Sequence, residues 1–348
     1  MSVEAVCEAV RRILDHGVAR RIFPGGVVEF GRTSGPIQSI AAGRLTYAND
    51  SPAVDAPSTV YDLASLTKVL ATTALIAGEV SAGRIRLNDR VRHWIPTWTG
   101  EERQSVTVRD LLEHAAGLPA HGPYYKTRRG RASFELAICE EPLAYPPRTQ
   151  SIYSDPGFML LGFALETAAQ VALDDGFRAW RDRELGISDI QYGVPPDWLA
   201  RTAPTEDTKF GEERRGEVHD ENAQALGGVA AHAGLFGTAP AVGTCARWWM
   251  RSPHLGEFSR KTTVPGSSRA LGWDTMLPTS SCGTHLSANA IGHTGFTGTS
   301  LWIDPDRDLY VVVLTNRVHP TREGDGIQDI RRAVHDAIAT GLDDERPA

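Results

Sequence analysis

The chain has 348 residues, 41% of them hydrophobic and 23% charged, with a net charge of −7. That composition supports one large domain or two intimate ones and excludes a disordered chain or a coiled coil. The acidic balance, with no basic stripe carrying interleaved aromatics, speaks against nucleic acid as a partner, and Lys126–Arg131 reads as a short solvated loop.

Taken in order, Val3, Val6, Val10, Ile13 and Leu14 form a helical stripe over residues 3–16. Val27–Phe30 reads as a strand, and Ser39–Gly43 as its hairpin partner across a turn between Gly31 and Gly35. A loop rich in Asn, Asp and Pro (48–58) leads to a helix that starts at Ser65 and runs through Ala77. From about 96 to about 280 there is little strand signal. Short helices are expected at Val108–His114, Phe134–Cys139 and Thr244–Met250, a longer apolar one at Phe158–Val171, and long loops from Gly186 to Gly216. Strands return at Leu301–Ile303 and Leu309–Leu314, flanking a turn at 304–308. Ile327, Ile330, Val334 and Ile338 mark a last helix, and the polar end 341–348 reads as a frayed tail.

These elements predict an α+β fold. An antiparallel sheet is built from both chain ends (1–95 and 281–340) and flanked by the terminal helices, with a mostly helical inserted subdomain (96–280) and the active site between the two parts. Cys7, Cys139, Cys245 and Cys282 lie far apart with no C-x-x-C pair, which fits a reducing compartment better than a disulfide or zinc framework. The acidic start lacks the charged and apolar regions of a signal peptide, and no apolar run is long enough to span a membrane. A cytoplasmic location without a membrane partner is the expectation. No feature sets the oligomeric state.

Three stretches carry chemistry. Ser65-Leu66-Thr67-Lys68 places a hydroxyl and an amine one helical turn apart at a helix start, where the dipole favours negative charge. Tyr153-Ser154-Asp155 precedes the Phe158 helix, and His293-Thr294-Gly295-Phe296 precedes the strand at Leu301. In order and spacing the set resembles the serine β-lactamase and penicillin-binding-protein superfamily. The resemblance is to its class C β-lactamase, D-alanyl-D-alanine carboxypeptidase and family-VIII-like esterase branch, whose motifs are S-x-x-K, Y-x-N and K/H-T-G. Val106–Pro119 and Leu226–Phe236 are similar to that family's intervening stretches, and the likeness covers about residues 20–335.

A serine hydroxyl needs a base. Lys68 can serve only when neutral, which requires its pKa to fall, while a nearby ammonium favours the Tyr153 phenolate, so the two form one coupled unit. The resemblance implies that Lys68 and Tyr153 together activate Ser65 and that Tyr153 helps protonate the leaving group. It also implies that the Ser65 and Phe296 N–H groups form the oxyanion hole. Asp155, His293, Thr294 and Gly295 are then substrate-binding, with Gly295 letting the strand approach the substrate closely.

Asp155 and His293 stand where the family more often has asparagine and lysine. Both changes weaken the hold on a substrate carboxylate, so neutral small esters are the expected substrates. A β-lactam, a D-Ala-D-Ala peptide and a muropeptide amide are the alternatives, and a non-catalytic penicillin-binding sensor is the alternative of another class. In the notable stretch Glu217–Asn222, followed by His232, no metal-ligand spacing is present; Asp220 and Asn222 are expected to cap the glycine-rich turn. This stretch resembles the superfamily's cell-wall-recycling amidases. Neither a P-loop nor a G-x-S-x-G elbow occurs, and no cofactor or metal is expected.

Overall fold

A computed structural model describes residues 1–342. Its centre is a six-stranded antiparallel sheet of β1 (Gly25–Gly31), β2 (Ile37–Gly43), β6 (Asp274–Thr275), β7 (Ile291–Thr294), β8 (Ser300–Asp304) and β9 (Leu309–Thr315). The spatial order is β2-β1-β9-β8-β7-β6, so strands from the two chain ends meet where β1 pairs with β9. The hairpin register runs from Gly25 opposite Gly43 to Gly31 opposite Ile37. The second strand therefore begins two residues before Ser39, at a position where Ile37 is exposed at the sheet edge.

The helices Val3–Ala19 and Ile327–Leu342 cover one face of the sheet. Val6, Val10 and Leu14 of the first meet Ile330, Val334 and Ile338 of the second, over Val28, Phe30, Val311 and Val313. The i, i+4 and i+8 spacing places Val6, Val10 and Leu14 on one stripe. The expected frayed tail is helical through Leu342, and the rest of it lies outside the described residues.

The other face is covered by the helix Ala239–Arg251, which packs on β1, β8 and β9. With both faces covered, β1 and β9 are buried at every position, which explains why they are mostly apolar in place of polar alternation, with Glu29 the exception on β1. This helix and β6 fall within the span 96–280, so that span both forms the helical part and completes the sheet. The helix is also longer than Thr244–Met250, because Thr238 caps it through Ala241 N–H and Pro240 occupies its first turn.

The helical part centres on Asp155–Ala169, buried from Asp155 through Leu165 and packed against Val108–Leu112, Arg131–Glu140 and Leu173–Glu184. Its start is fixed by Ser154, whose Oγ accepts the Gly157 N–H at 3.2 Å. Among the described residues no single helix is long and apolar enough to cross a membrane. A small three-stranded sheet, β3 (Tyr61–Asp62), β4 (Ile190–Tyr192) and β5 (Leu235–Gly237), joins the two parts beside the Ser65 turn. These strands escape a reading of periodicity because two or three residues carry no period.

Candidate active site

The segment around Ser65 is not one α-helix. Ala64–Leu66 is a 3₁₀ turn, Lys68–Thr72 is a π turn, and the α-helix begins at Thr73. A 3₁₀ turn has three residues per turn, so positions three apart eclipse, and Lys68 Nζ comes to 3.1 Å from Ser65 Oγ. Two backbone carbonyls of the π turn also accept from side chains. Thr73 Oγ1 donates to the Lys68 carbonyl at 2.8 Å and Trp249 Nε1 to the Val69 carbonyl at 3.2 Å.

Ala64 has φ +47°, a strained value for a residue with a Cβ. Asp62 holds it there: one carboxylate oxygen accepts the Ala64 N–H at 2.8 Å and the other the His219 N–H at 2.7 Å. Burial pushes the Asp62 pKa up to about 7, against those two hydrogen bonds.

Tyr153 donates its hydroxyl to Ser65 Oγ at 2.8 Å, so Ser65 lies between the two groups expected to act as its base. Lys68 is fully buried. Its ammonium also donates to the His232 carbonyl at 2.9 Å and forms an ion pair with Asp155 at 2.8 Å. Burial by itself depresses the Lys68 pKa, but the Asp155 carboxylate and the Tyr153 phenol outweigh it and hold the pKa above the ordinary lysine value. The fall expected from the sequence is therefore reversed in the resting site. Burial pushes Tyr153 up to about 12, opposed by the Lys68 ammonium. Asp155 is held below the usual carboxylate range: burial opposes ionisation, and Lys68 and His121 override it.

The His293–Phe296 segment spans the end of β7 and the turn that follows. Thr297 Oγ1 donates to the Asp62 carbonyl at 2.7 Å and Thr299 Oγ1 to the Leu63 carbonyl at 3.1 Å, which docks this turn on the Ser65 turn. A Cβ at Gly295 would lie 2.1 Å from Thr299 Oγ1 and 2.7 Å from the Leu63 carbonyl. Glycine is needed there for approach to the nucleophile turn. The Ser65 and Phe296 N–H groups have no hydrogen-bond partner among the described residues. Phe296 is pinned between the His219 ring, stacked at 5.6 Å, and the Arg317 guanidinium, 4.4 Å from its centroid.

His293 is buried, and its pKa is pushed down to about 3 by burial, with the Lys68 and Arg269 charges adding to it, so it is neutral near pH 7. Its Nδ1 lies 2.9 Å from the Thr294 carbonyl.

Ser65, Tyr153, Asp155, His293, Thr294, Gly295 and Phe296 all line one cleft of about 540 Å³. Lys68 lies beneath it. The cleft is also lined by residues that no motif announced, among them His121, Arg269, Arg317 and Arg331. Arg269 lies 5.3 Å above the Tyr153 ring and pairs with Asp274 at 3.0 Å. Their signal in the sequence is no more than an isolated cation or histidine, because long-range packing brings them here. A larger groove of about 870 Å³ lies between the terminal helices, and no serine, cysteine or lysine lines it.

Asp220 caps the helix Glu221–Ala225 through the Ala223 N–H at 2.7 Å and lies 2.8 Å from His232 Nε2. Asn222 instead ties the loop at 122–125, through Gly122 O and Tyr125 N–H. No cluster of three metal-ligating side chains occurs among the described residues.

Known proteins resemble the chain in sequence and in fold. The chain is 30% identical over 315 residues to a candidate D-alanyl-D-alanine carboxypeptidase of Escherichia coli K12, covering 78% of this chain and 72% of that protein. It is also 30% identical to an N-acetylmuramyl-L-alanine amidase of Bacillus subtilis 168, over 88% of this chain and 81% of the relative. The fold matches a class C beta lactamase from Rhodobacter sphaeroides with a TM-score of 0.76 at 19% identity, covering 96% of this chain and 99% of that one. Residues 10–335 match the Beta-lactamase family model, and the chain belongs to that family of hydrolases.

Proposed function

We propose that this hydrolase cleaves an amide or ester through an acyl-enzyme on Ser65. The observation that carries the reading is the position of Ser65 Oγ, 3.1 Å from Lys68 Nζ and 2.8 Å from the Tyr153 hydroxyl, at the floor of the cleft. The resting site holds one proton too many, on Lys68 and on Tyr153. When the pair loses one, it takes the Ser65 proton, and Oγ attacks the substrate carbonyl. The Ser65 and Phe296 N–H groups receive the oxyanion, and Tyr153 returns the proton to the leaving group. Water then attacks the acyl-serine with the same pair as base.

The substrate we propose carries a carboxylate, as muropeptide fragments do. The expectation of neutral esters rests on the loss of lysine at position 293. Positive charge enters the cleft from elsewhere: Arg317 and Arg331 line it with no carboxylate partner among the described residues. The two relatives at 30% identity are named for peptidoglycan chemistry, which supports the same class.

The experiment is a substrate panel of p-nitrophenyl acetate and butyrate, nitrocefin, D-Ala-D-Ala peptides and muramyl peptides, run on wild type and Ser65→Ala. Turnover lost by about 10³-fold or more in Ser65→Ala is expected, with kcat/KM highest on a carboxylate-bearing amide. Equal turnover by Ser65→Ala would sink the acyl-enzyme. A higher kcat/KM on the neutral esters would restore the simpler ester reading. A stable penicillin adduct on Ser65 without turnover of any member would favour a sensor.

A further inference from the structure

Asp155 is bonded through both of its carboxylate oxygens. Oδ1 pairs with Lys68 Nζ at 2.8 Å, and Oδ2 lies 2.6 Å from His121 Nδ1. The two partners differ in access: the Lys68 side chain is fully buried, while that of His121 is 69% exposed at the mouth of the cleft. A continuous line therefore runs from solvent to the nucleophile, through His121, Asp155 and Lys68 to Ser65 and Tyr153.

The charge on Asp155 creates a difficulty for catalysis. It favours keeping a proton on both Lys68 and Tyr153, and the pair works as a base only after losing one. An asparagine at this position would not oppose that loss. Something must offset the carboxylate at the moment the pair deprotonates, and His121 is placed to do so.

We propose that His121 is a positioning residue that acts through Asp155. Its imidazolium draws on the carboxylate, loosens the hold of Asp155 on Lys68, and lets the Lys68–Tyr153 pair release the proton that frees it to act on Ser65. The other charged or titratable neighbours do not fill this role. Asp220 and His232 bond each other at 2.8 Å, and His232 meets Lys68 through its backbone carbonyl. His114 and His293 are buried and neutral, and Arg269 is engaged by Asp274. The Asp155 bond also raises the His121 pKa, which keeps its imidazolium populated nearer neutrality.

The inference rests on the acyl-enzyme reading, and the test separates the two. The rate of Ser65 labelling by a fluorophosphonate is measured by intact mass between pH 5 and 9.5. The variants are His121→Ala, His121→Gln, Asp155→Asn and the double variant Asp155→Asn/His121→Gln. Glutamine keeps a hydrogen-bond donor near Asp155 without the charge. Both single His121 variants should move the midpoint of the rising limb up by about half a unit or more, roughly threefold in rate at pH 7. Asp155→Asn should move it down, and adding His121→Gln in that background should move it no further. Midpoints that coincide with wild type, a His121→Gln profile matching wild type while His121→Ala shifts, or an equal His121 shift in the Asp155→Asn background would each overturn the relay. Failure of the wild type to label at Ser65 would overturn the acyl-enzyme reading and the relay with it.

Discussion

At the scale of single residues, burial of an ionisable group ties stability to pH, and Glu29 shows how. It lies inside the sheet on β1, accepts from Tyr310 at 3.0 Å and Ser39 at 3.1 Å, and its pKa is raised by burial against both bonds. A carboxyl with a raised folded pKa favours the protonated form, so wild-type stability falls as pH climbs from the unfolded value toward the folded one. Glu29→Gln keeps an acceptor for Tyr310 and removes the ionisation. It should melt a few degrees above wild type at pH 7.5 and level with it near pH 4, by differential scanning calorimetry. A lower melting temperature at both pH values would contradict this account. The motif residues Ser65, Lys68, Tyr153 and His293–Phe296 were legible because short local patterns carry them. Asp62, His121, Arg317 and Arg331 were not, because each is one polar residue whose importance depends on a partner far away in sequence.

At the scale of elements, the helix Asp155–Ala169 and the glycine-rich stretch before β5 are in contact closer than two side chains allow. A Cβ at Gly162 would lie 2.6 Å from Ala231 Cβ. The neighbouring carbonyls matter to the site: Ala231 O accepts from Thr72 at 2.6 Å, and His232 O from Lys68 at 2.9 Å. Gly162→Val should therefore cost about 1–3 kcal/mol of stability by overpacking and also slow Ser65 labelling, because the displaced stretch before β5 carries the Lys68 acceptor. Denaturant unfolding and labelling kinetics check both, and a variant unchanged in both would refute the coupling. Long amphipathic or apolar elements were readable from their periods and caps. The 3₁₀ and π turns at 64–72 were not, since their geometry follows from bonds to Thr73, Trp249 and Asp62 that the local pattern does not encode.

At the scale of the molecule, the last helix reaches from the sheet to the cleft. Arg331, on the last helix, is 6% exposed and donates from Nη2 to the carbonyls of Gly295 at 2.9 Å and Thr299 at 2.7 Å. It thereby braces the turn that presents the Phe296 N–H. Burial lowers its pKa to about 9. Arg331→Met keeps the apolar stem and removes the charged donor from two carbonyls that retain only the Gly298 and Gly295 N–H groups, and hydrogen bonds to a charged group contribute about 1.5–3 kcal/mol each. A loss of that size in unfolding free energy is expected, together with slower labelling by a neutral fluorophosphonate, a probe that does not use a carboxylate subsite. Wild-type stability and labelling in this variant would show that the turn stands without the brace. The sheet from both chain ends was foreseeable from the strand runs at 27–30 and 309–314. Its extension through β6 and its cover by Ala239–Arg251 were not, because a two-residue strand and a helix with an apolar stripe look alike whichever layer they join.

The π turn at Lys68–Thr72 also constrains how this gene can change. A π turn holds more residues than an α turn, so everything after it is rotated relative to an unbroken α-helix, by about 100° for each residue of excess. Ser65 faces the cleft with Lys68 beneath it, while Ile76 and Ala77 face the core, only because that count is kept. Substitutions between 69 and 72 change contacts one at a time. An insertion or deletion there would turn the nucleophile away from its partners while leaving every motif letter intact.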